Sequence, residues 1–328
     1  MGSETHSNQL SVIKLVQNAY DLMGEGANFN RIMKGICCLS ANNGRLSAEF
    51  TVSEEHVNDK GTLYGGFLAA LVDVLTATCV KLLIPESRIV SIELSVSYLS
   101  AAKIGEIISV EADCLKTGRS IAFTSACFRR RSDNSIIITA KQQLAILSDK
   151  SRKERPKPNG ISEGTGNNLK IIWPSLALGE GIYFDKMKDL FKKMGETGNF
   201  YRNFKNVNVL CAEPPFLVLS ICLSEENLNN GGTMHGGFTA SMADLVTSRA
   251  VQMTEPCPRV SVDLSVSYLL PAKVGEEIII EGKCLKIGWM MAFAEACFIR
   301  KSDGALVAKG RHNMYFLRDR QVKNDNES

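Results

Sequence analysis

With 328 residues and 45% hydrophobic content, the chain is long enough for two packed domains and too apolar for disorder. Its 38 Lys plus Arg face 35 Asp plus Glu, a balance that argues against nucleic acid or an anionic membrane surface as a general partner. The 10 cysteines include no C-x-x-C pair, which argues against a zinc or dithiol motif and points to free thiols in a reducing compartment.

The first ten residues lack the order of a secretory signal, so the cytosol is expected, with the mitochondrion as the alternative. Residues 8–23 form an amphipathic helix with Val12, Leu15, Val16 and Tyr20 on one face. A strand hairpin follows, then a Gly-rich turn into an apolar helix over 66–83. That helix carries Asp73 and Lys81 and is barely long enough to span a bilayer, so it reads as a buried core helix and not a membrane span. From Val90, V-S-I-E-L-S-V-S-Y alternates as a strand with one wet face, and further strands follow across the turns KTGR and SDNS. Cys114 and Cys127 flank the first of these turns and read as core side chains on adjacent strands, with no metal role.

The whole series then returns. MGEGANFNR at Met23 recurs as MGETGNFYR at Met194, an offset of 171, and SVSYL at Ser95 recurs at Ser265, an offset of 170. One residue is lost in a Pro-containing connection, where length changes are absorbed. The second copy has an amphipathic helix over 181–194 (Met187, Leu190, Phe191, Met194) and an apolar helix over 237–253. Residues 148–168 are polar and rich in Pro, Gly and charge, as a linker should be. The expected division is a first domain over 1–148, a linker over 149–177, a second domain over 178–318 and a polar tail over 319–328. The class is α+β: antiparallel sheets, each wrapped around one central helix, joined edge to edge as an intrachain pseudo-dimer.

Asp73 in LVDVL and Asp244 in MADLV place a carboxylate in the apolar part of a helix, which costs several kcal/mol unless it is paired or has a task. A structural carboxylate bonded to a strand or cap is the plain alternative. Upstream, T-L-Y-G-G and T-M-H-G-G bring backbone N–H groups around Gly65 and Gly236 to a helix N-terminus, where they can hold a carbonyl oxygen as negative charge develops. An ordinary tight turn into a helix explains the same glycines. Eight residues separate Gly65 from Asp73, about 12 Å along a helix at ~1.5 Å per residue, too far for a base serving an oxygen bound at that glycine. The two must come from different copies: antiparallel central helices would set Gly65 beside Asp244 and Gly236 beside Asp73.

The turn NNGGTMHGG, an apolar helix with one Asp, and a strand running VSVDLSVSYLLPAK resemble the PaaI-like hotdog acyl-CoA thioesterases over nearly all of both copies. The resemblance implies a tandem hotdog fold in which Asn58 and Gly65 face Asp244 and Ser261, while Asn229, His235 and Gly236 face Asp73 and Ser91. It also implies that Gly polarises the thioester carbonyl, Asn orients water or carbonyl, Asp activates the water or attacks directly, and Ser positions it. Coenzyme A contacts are implied for Tyr98, Lys103, Lys116 and Arg119, and for Tyr268, Lys273 and Lys286; these lysines read equally as solvated surface charge. Tyr64 replaces the motif's His, and Ala101 stands where the second copy has Pro271, so the two sites are expected to differ. The expected activity is hydrolysis of fatty acyl-CoA, medium to long chain by resemblance, with coenzyme A as part of the substrate and no metal or other cofactor. The alternatives are an acyl-CoA sensor or carrier and an interaction scaffold, and further pairing into a homodimer is left open.

Overall fold

The computed structural model describes residues 2–147 and 181–318. The expected linker over 149–177 and tail over 319–328 lie outside the described residues. The first repeat runs α1 (Gly2–Glu25), β1 (Cys37–Asn42), β2 (Arg45–Thr51), α2 (Gly65–Leu83), β3 (Arg88–Tyr98), β4 (Ile107–Thr117), β5 (Ile121–Arg130) and β6 (Ile136–Leu147). The second runs α3 (Phe184–Gly195), β7 (Asn208–Glu213), β8 (Phe216–Cys222), α4 (Gly236–Thr254), β9 (Arg259–Tyr268), β10 (Glu277–Ile287), β11 (Met291–Arg300) and β12 (Leu306–Phe316).

The strands form one 12-stranded antiparallel sheet in the order β1-β2-β4-β5-β6-β3-β9-β12-β11-β10-β8-β7. That order is the same series read outward from the middle in each direction, so the repeats are related by a pseudo-two-fold at the β3–β9 seam. There Ser95 lies opposite Ser265, and Glu93 opposite Ser267. Inward positions such as Leu94, Val96, Leu264 and Val266 are buried under the two central helices, as the alternation predicts.

The central helices lie side by side because their contact face is small. A Cβ on Gly237 would stand 2.7 Å from the Ala70 Cα, and one on Gly66 would stand 2.8 Å from the Ser241 Cα. Gly66 with Ala70, and Gly237 with Ser241, are i, i+4 pairs on the facing surfaces. Ser241 Oγ donates to the Gly66 carbonyl at 2.7 Å across this contact. Around it, Phe29 and Phe200 meet edge to face and their backbone amides bond reciprocally across the repeats, Phe29 to the Leu228 carbonyl and Phe200 to that of Val57.

The structure alters four expectations. Leu15 is 69% exposed: it sits about 100° round the helix from Val16, and Ile13 packs with Val12, Val16 and Tyr20 in its place. Both central helices begin one residue early, at Gly65 and Gly236, so Tyr64 and His235 become the residues before the first turn. Cys114 and Cys127 stand on the adjacent strands β4 and β5 as expected, but both are half-buried and not core side chains. Finally, a bulge between Ser91 and Glu93 interrupts the alternation of β3. Strict alternation puts Ser91 on the wet face with Glu93; the bulge resets the phase and turns it inward.

His56 couples this fold to pH. Its Nδ1 accepts from Ser53 N at 3.1 Å and its ring stacks on Phe67 at 4.5 Å. Burial pushes its pKa down to about 4 from 6.5. The unfolded chain therefore takes up this proton first as pH falls, and stability drops from about pH 6.5 towards 4. Asn227 makes the same bond in the second repeat without a titrating ring. His56→Asn is expected to flatten this part of the pH–stability profile, read as denaturation midpoints at pH 7 and 5; an unchanged slope would assign it elsewhere.

Candidate active site

The antiparallel helices bring each carboxylate against the other repeat's glycine turn. A Cβ on Gly236 would stand 2.9 Å from Asp73 Oδ2, and one on Gly65 would stand 3.5 Å from Asp244 Oδ1. Both carboxylates are buried, Asp73 at 7% and Asp244 at 4% exposure, so each must be held by donors.

Asp73 Oδ1 accepts from Ser91 Oγ and Gln142 Nε2, both at 2.6 Å. Its Oδ2 accepts from Gly237 N of the other repeat at 3.1 Å and lies 3.4 Å from His235 Nδ1. Gln142 also donates to Ser91 Oγ at 3.1 Å, and its own carbonyl is held by the Thr76 hydroxyl. Because His235 Nδ1 accepts from Gly237 N at 2.9 Å, its ring hydrogen sits on Nε2 and is donated to Asn30 Oδ1 at 3.0 Å. Burial lowers the His235 pKa against the opposing pull of Asp73, so the ring is neutral.

The Asp244 cleft has different furniture. Ser261 Oγ donates at 3.2 Å, and His312 Nε2 lies 3.5 Å from the carboxylate. The Tyr64 phenol donates to the Ser241 carbonyl at 2.9 Å, and burial, followed by the nearby Asp244, raises its pKa well above the ordinary range. The exchange of His235 for Tyr64 is matched beside it: where Asn30 meets His235, Tyr201 meets Tyr64 edge to face at 5.3 Å. The turn itself is tied differently too. Asn230 accepts from Asn28 and Asn30, whereas Asp59 pairs with Arg249 at 3.3 Å.

Asn58 and Asn229 stand in these turns with their carbonyl oxygens committed locally. Asn58 Oδ1 accepts from Lys60 N, Thr62 N and Thr62 Oγ1, and Asn229 Oδ1 from Gly231 N and Thr233 N. What Asn58 can offer a ligand is its amide NH2; Asn229 Nδ2 already donates to Thr233 Oγ1 at 3.0 Å, which leaves its second N–H. The hydroxyls of Tyr98 and Tyr268 donate to the Gly65 and Gly236 carbonyls, each at 3.0 Å, which buttresses the glycine turns. The cations of one repeat lie far apart. Lys103 bridges to Thr62 beside the glycine turn, whereas Lys116 lies opposite Phe123 beyond the far end of α2. Nine residues of β4, 107–115, lie between the two lysines, roughly 30 Å at ~3.3 Å per residue. Lys273, beside Thr233, and Lys286, opposite Phe293, are separated in the same way. Arg119 is exposed in the turn after Lys116.

Gln142 and His312 were not singled out from sequence. The signal was present: Gln142 falls in phase with Ala140 and Leu144, and His312 with Gly310 and Met314, each a polar side chain on the buried side of a strand. Among the described residues no cluster of three or more His, Cys, Asp or Glu could hold a metal ion.

The family model described as the thioesterase superfamily matches residues 60–137 and 231–307, once in each repeat. Mouse acyl-coenzyme A thioesterase 13 is 37% identical over 130 residues, 39% of this chain and 93% of that protein. Two solved structures share the whole two-repeat arrangement at low identity. The tesB protein of Mycobacterium avium subspecies paratuberculosis superposes with a TM-score of 0.59, covering 89% of this chain and 100% of its own at 11% identity. A hot dog fold protein of Alicyclobacillus acidocaldarius gives 0.54, covering 85% and 95% at 14% identity. Two family matches one repeat apart, a relative spanned almost end to end and a shared double fold together make this chain a member of the thioesterase superfamily, built as a tandem duplication of the hotdog fold.

Proposed function

We propose that the chain hydrolyses acyl-CoA thioesters at two clefts, each shared between the repeats, with medium to long acyl chains favoured and no resident cofactor. The observation that carries this reading is the contact of a buried carboxylate with the other repeat's glycine turn, Asp73 with Gly237 N at 3.1 Å and Asp244 beside Gly65. The relative named for acyl-coenzyme A thioesterase activity supports the substrate class. In each cleft the free N–H groups of the first helical turn, reinforced by the helix dipole, polarise the thioester carbonyl. The carboxylate either takes a proton from the attacking water or attacks the carbonyl carbon itself, forming an anhydride that water opens. Both routes end with the carbon–sulfur bond broken, the electron pair on the coenzyme A sulfur and a free acid. Because the helices are antiparallel, the phosphates of one coenzyme A would meet Lys273 from one repeat and Lys116 with Arg119 from the other; the second cleft would pair Lys103 with Lys286.

Thiol release from a panel of acyl-CoAs tests this. Continuous multiple-turnover release is expected. Tight binding without release would favour a carrier, and no binding at all would favour a scaffold.

A further inference from the structure

We propose that the inward residue of the last strand in each repeat sets the speed of its own cleft: Gln142 restrains Asp73, while His312 leaves Asp244 freer to react, so the Asp244 cleft turns over faster. The proposal rests on the hydrolytic reading above.

Three observations carry it. First, the two carboxylates differ in how firmly they are held. Asp73 has two donors at 2.6 Å and a third at 3.1 Å, whereas Asp244 has the Ser261 hydroxyl at 3.2 Å and a phenol, that of Tyr64, which it shares with the Ser241 carbonyl, while His312 Nε2 stands at 3.5 Å without a hydrogen bond. Second, the Asp244 carboxylate stands farther from its glycine turn, since a Cβ on Gly65 would meet Asp244 at 3.5 Å, behind the Tyr98 ring at 3.0 Å, whereas one on Gly236 would meet Asp73 at 2.9 Å. Third, Gln142 hydrogen-bonds its carboxylate and His312 does not. Thr76 anchors the Gln142 carbonyl, which aims its NH2 at both Asp73 and Ser91. His312 is anchored through Nδ1 to Thr247 Oγ1 at 2.7 Å, yet its fully buried Nε2 has no hydrogen-bond partner.

The consequence follows from what a carboxylate does in either route. It spends a lone pair, and its negative charge falls as the proton or the acyl carbon arrives. Donors bonded to the full charge lose strength at that moment, so short bonds in the resting site raise the barrier to the chemical step without altering how substrate binds. The imidazole of His312 is neutral, its pKa lowered by burial against Asp244 and Asp263, with Arg259 acting in the same direction as burial. A neutral ring at 3.5 Å imposes less of that restraint. Neither Gln142 nor His312 touches the substrate; each is a positioning residue.

The test uses the full chain with one cleft silenced at a time. With Asp244→Asn, only the Asp73 cleft remains, and adding Gln142→His is expected to raise kcat about tenfold with KM within about twofold; tenfold corresponds to about 1.4 kcal/mol, the scale of one hydrogen bond to a charged group. With Asp73→Asn, only the Asp244 cleft remains, and adding His312→Gln is expected to lower kcat by a similar factor. His312 occupies the matching place in the same fold, so an imidazole at 142 is sterically reasonable; if that variant does not fold, the His312→Gln arm decides. An unchanged kcat, or an effect confined to KM, overturns the proposal. A wild-type chain that releases no thiol refutes the hydrolytic reading itself, whereas a hydrolysing chain whose kcat ignores both substitutions refutes only this proposal, which separates the two failures.

Discussion

Replacing Asp73 and Asp244 together by alanine is expected to lower acyl-CoA hydrolysis by about a thousandfold, the range general base catalysis supplies, while leaving substrate affinity within about tenfold. Each carboxylate is buried against the other repeat's glycine turn, and each supplies the group that would activate water or attack the thioester there. Alanine also strips partners from Ser91, Gln142 and Gly237 N, and each unpaired buried donor costs about 1–3 kcal/mol. The double Asn variant keeps the shape and part of the bonding, so it separates lost chemistry from lost stability. Steady-state thiol release and calorimetric binding on both variants make the measurement. Turnover within tenfold of wild type in the double Asn chain would remove the carboxylates from the reaction.

The second large effect is structural. Gly237→Ala would put a methyl group 2.7 Å from the Ala70 Cα and 2.8 Å from its Cβ. Neither contact can be relieved by rotating a flexible side chain, because one partner is helix backbone and the other is fixed to it. The helices must part, at a cost of about 2 kcal/mol by comparison with other overpacked cores, or roughly 3 °C in melting temperature for a chain of this size. The same movement shifts Gly237 N away from Asp73 Oδ2, so the Asp73 cleft is expected to lose activity along with stability. Thermal melts and thiol release in the Asp244→Asn background report both. A variant that melts with the wild type would show that the helices do not cross at this glycine.

Much of this arrangement was legible in the residues because it depends on spacing. The offset between the copies and the eight residues from Gly65 to Asp73 are enough to require antiparallel helices and shared clefts. What spacing misses is anything set by a local break in register or by residues far along the chain. Ser91 faces Asp73 only because β3 bulges between Ser91 and Glu93. Gln142 lies 69 residues from Asp73, and only strand pairing brings them together. The alternation of β3 did point to the place of Tyr98, in step with Leu94 and Val96, beneath its glycine turn. The lysines were grouped by repeat because they are near in sequence, whereas a strand as long as β4 keeps them apart.

The paired replacements of Asp73 test the shared-cleft account most directly. Asp73→Ala with Asn229→Ala damages a single cleft in this account and should keep at least half of wild-type thiol release. Asp73→Ala with Asn58→Ala damages both clefts and should fall about a hundredfold, the cost of losing a carbonyl-polarising donor. The reverse order, with the Asn58 pair active and the Asn229 pair silent, would mean that each repeat works alone.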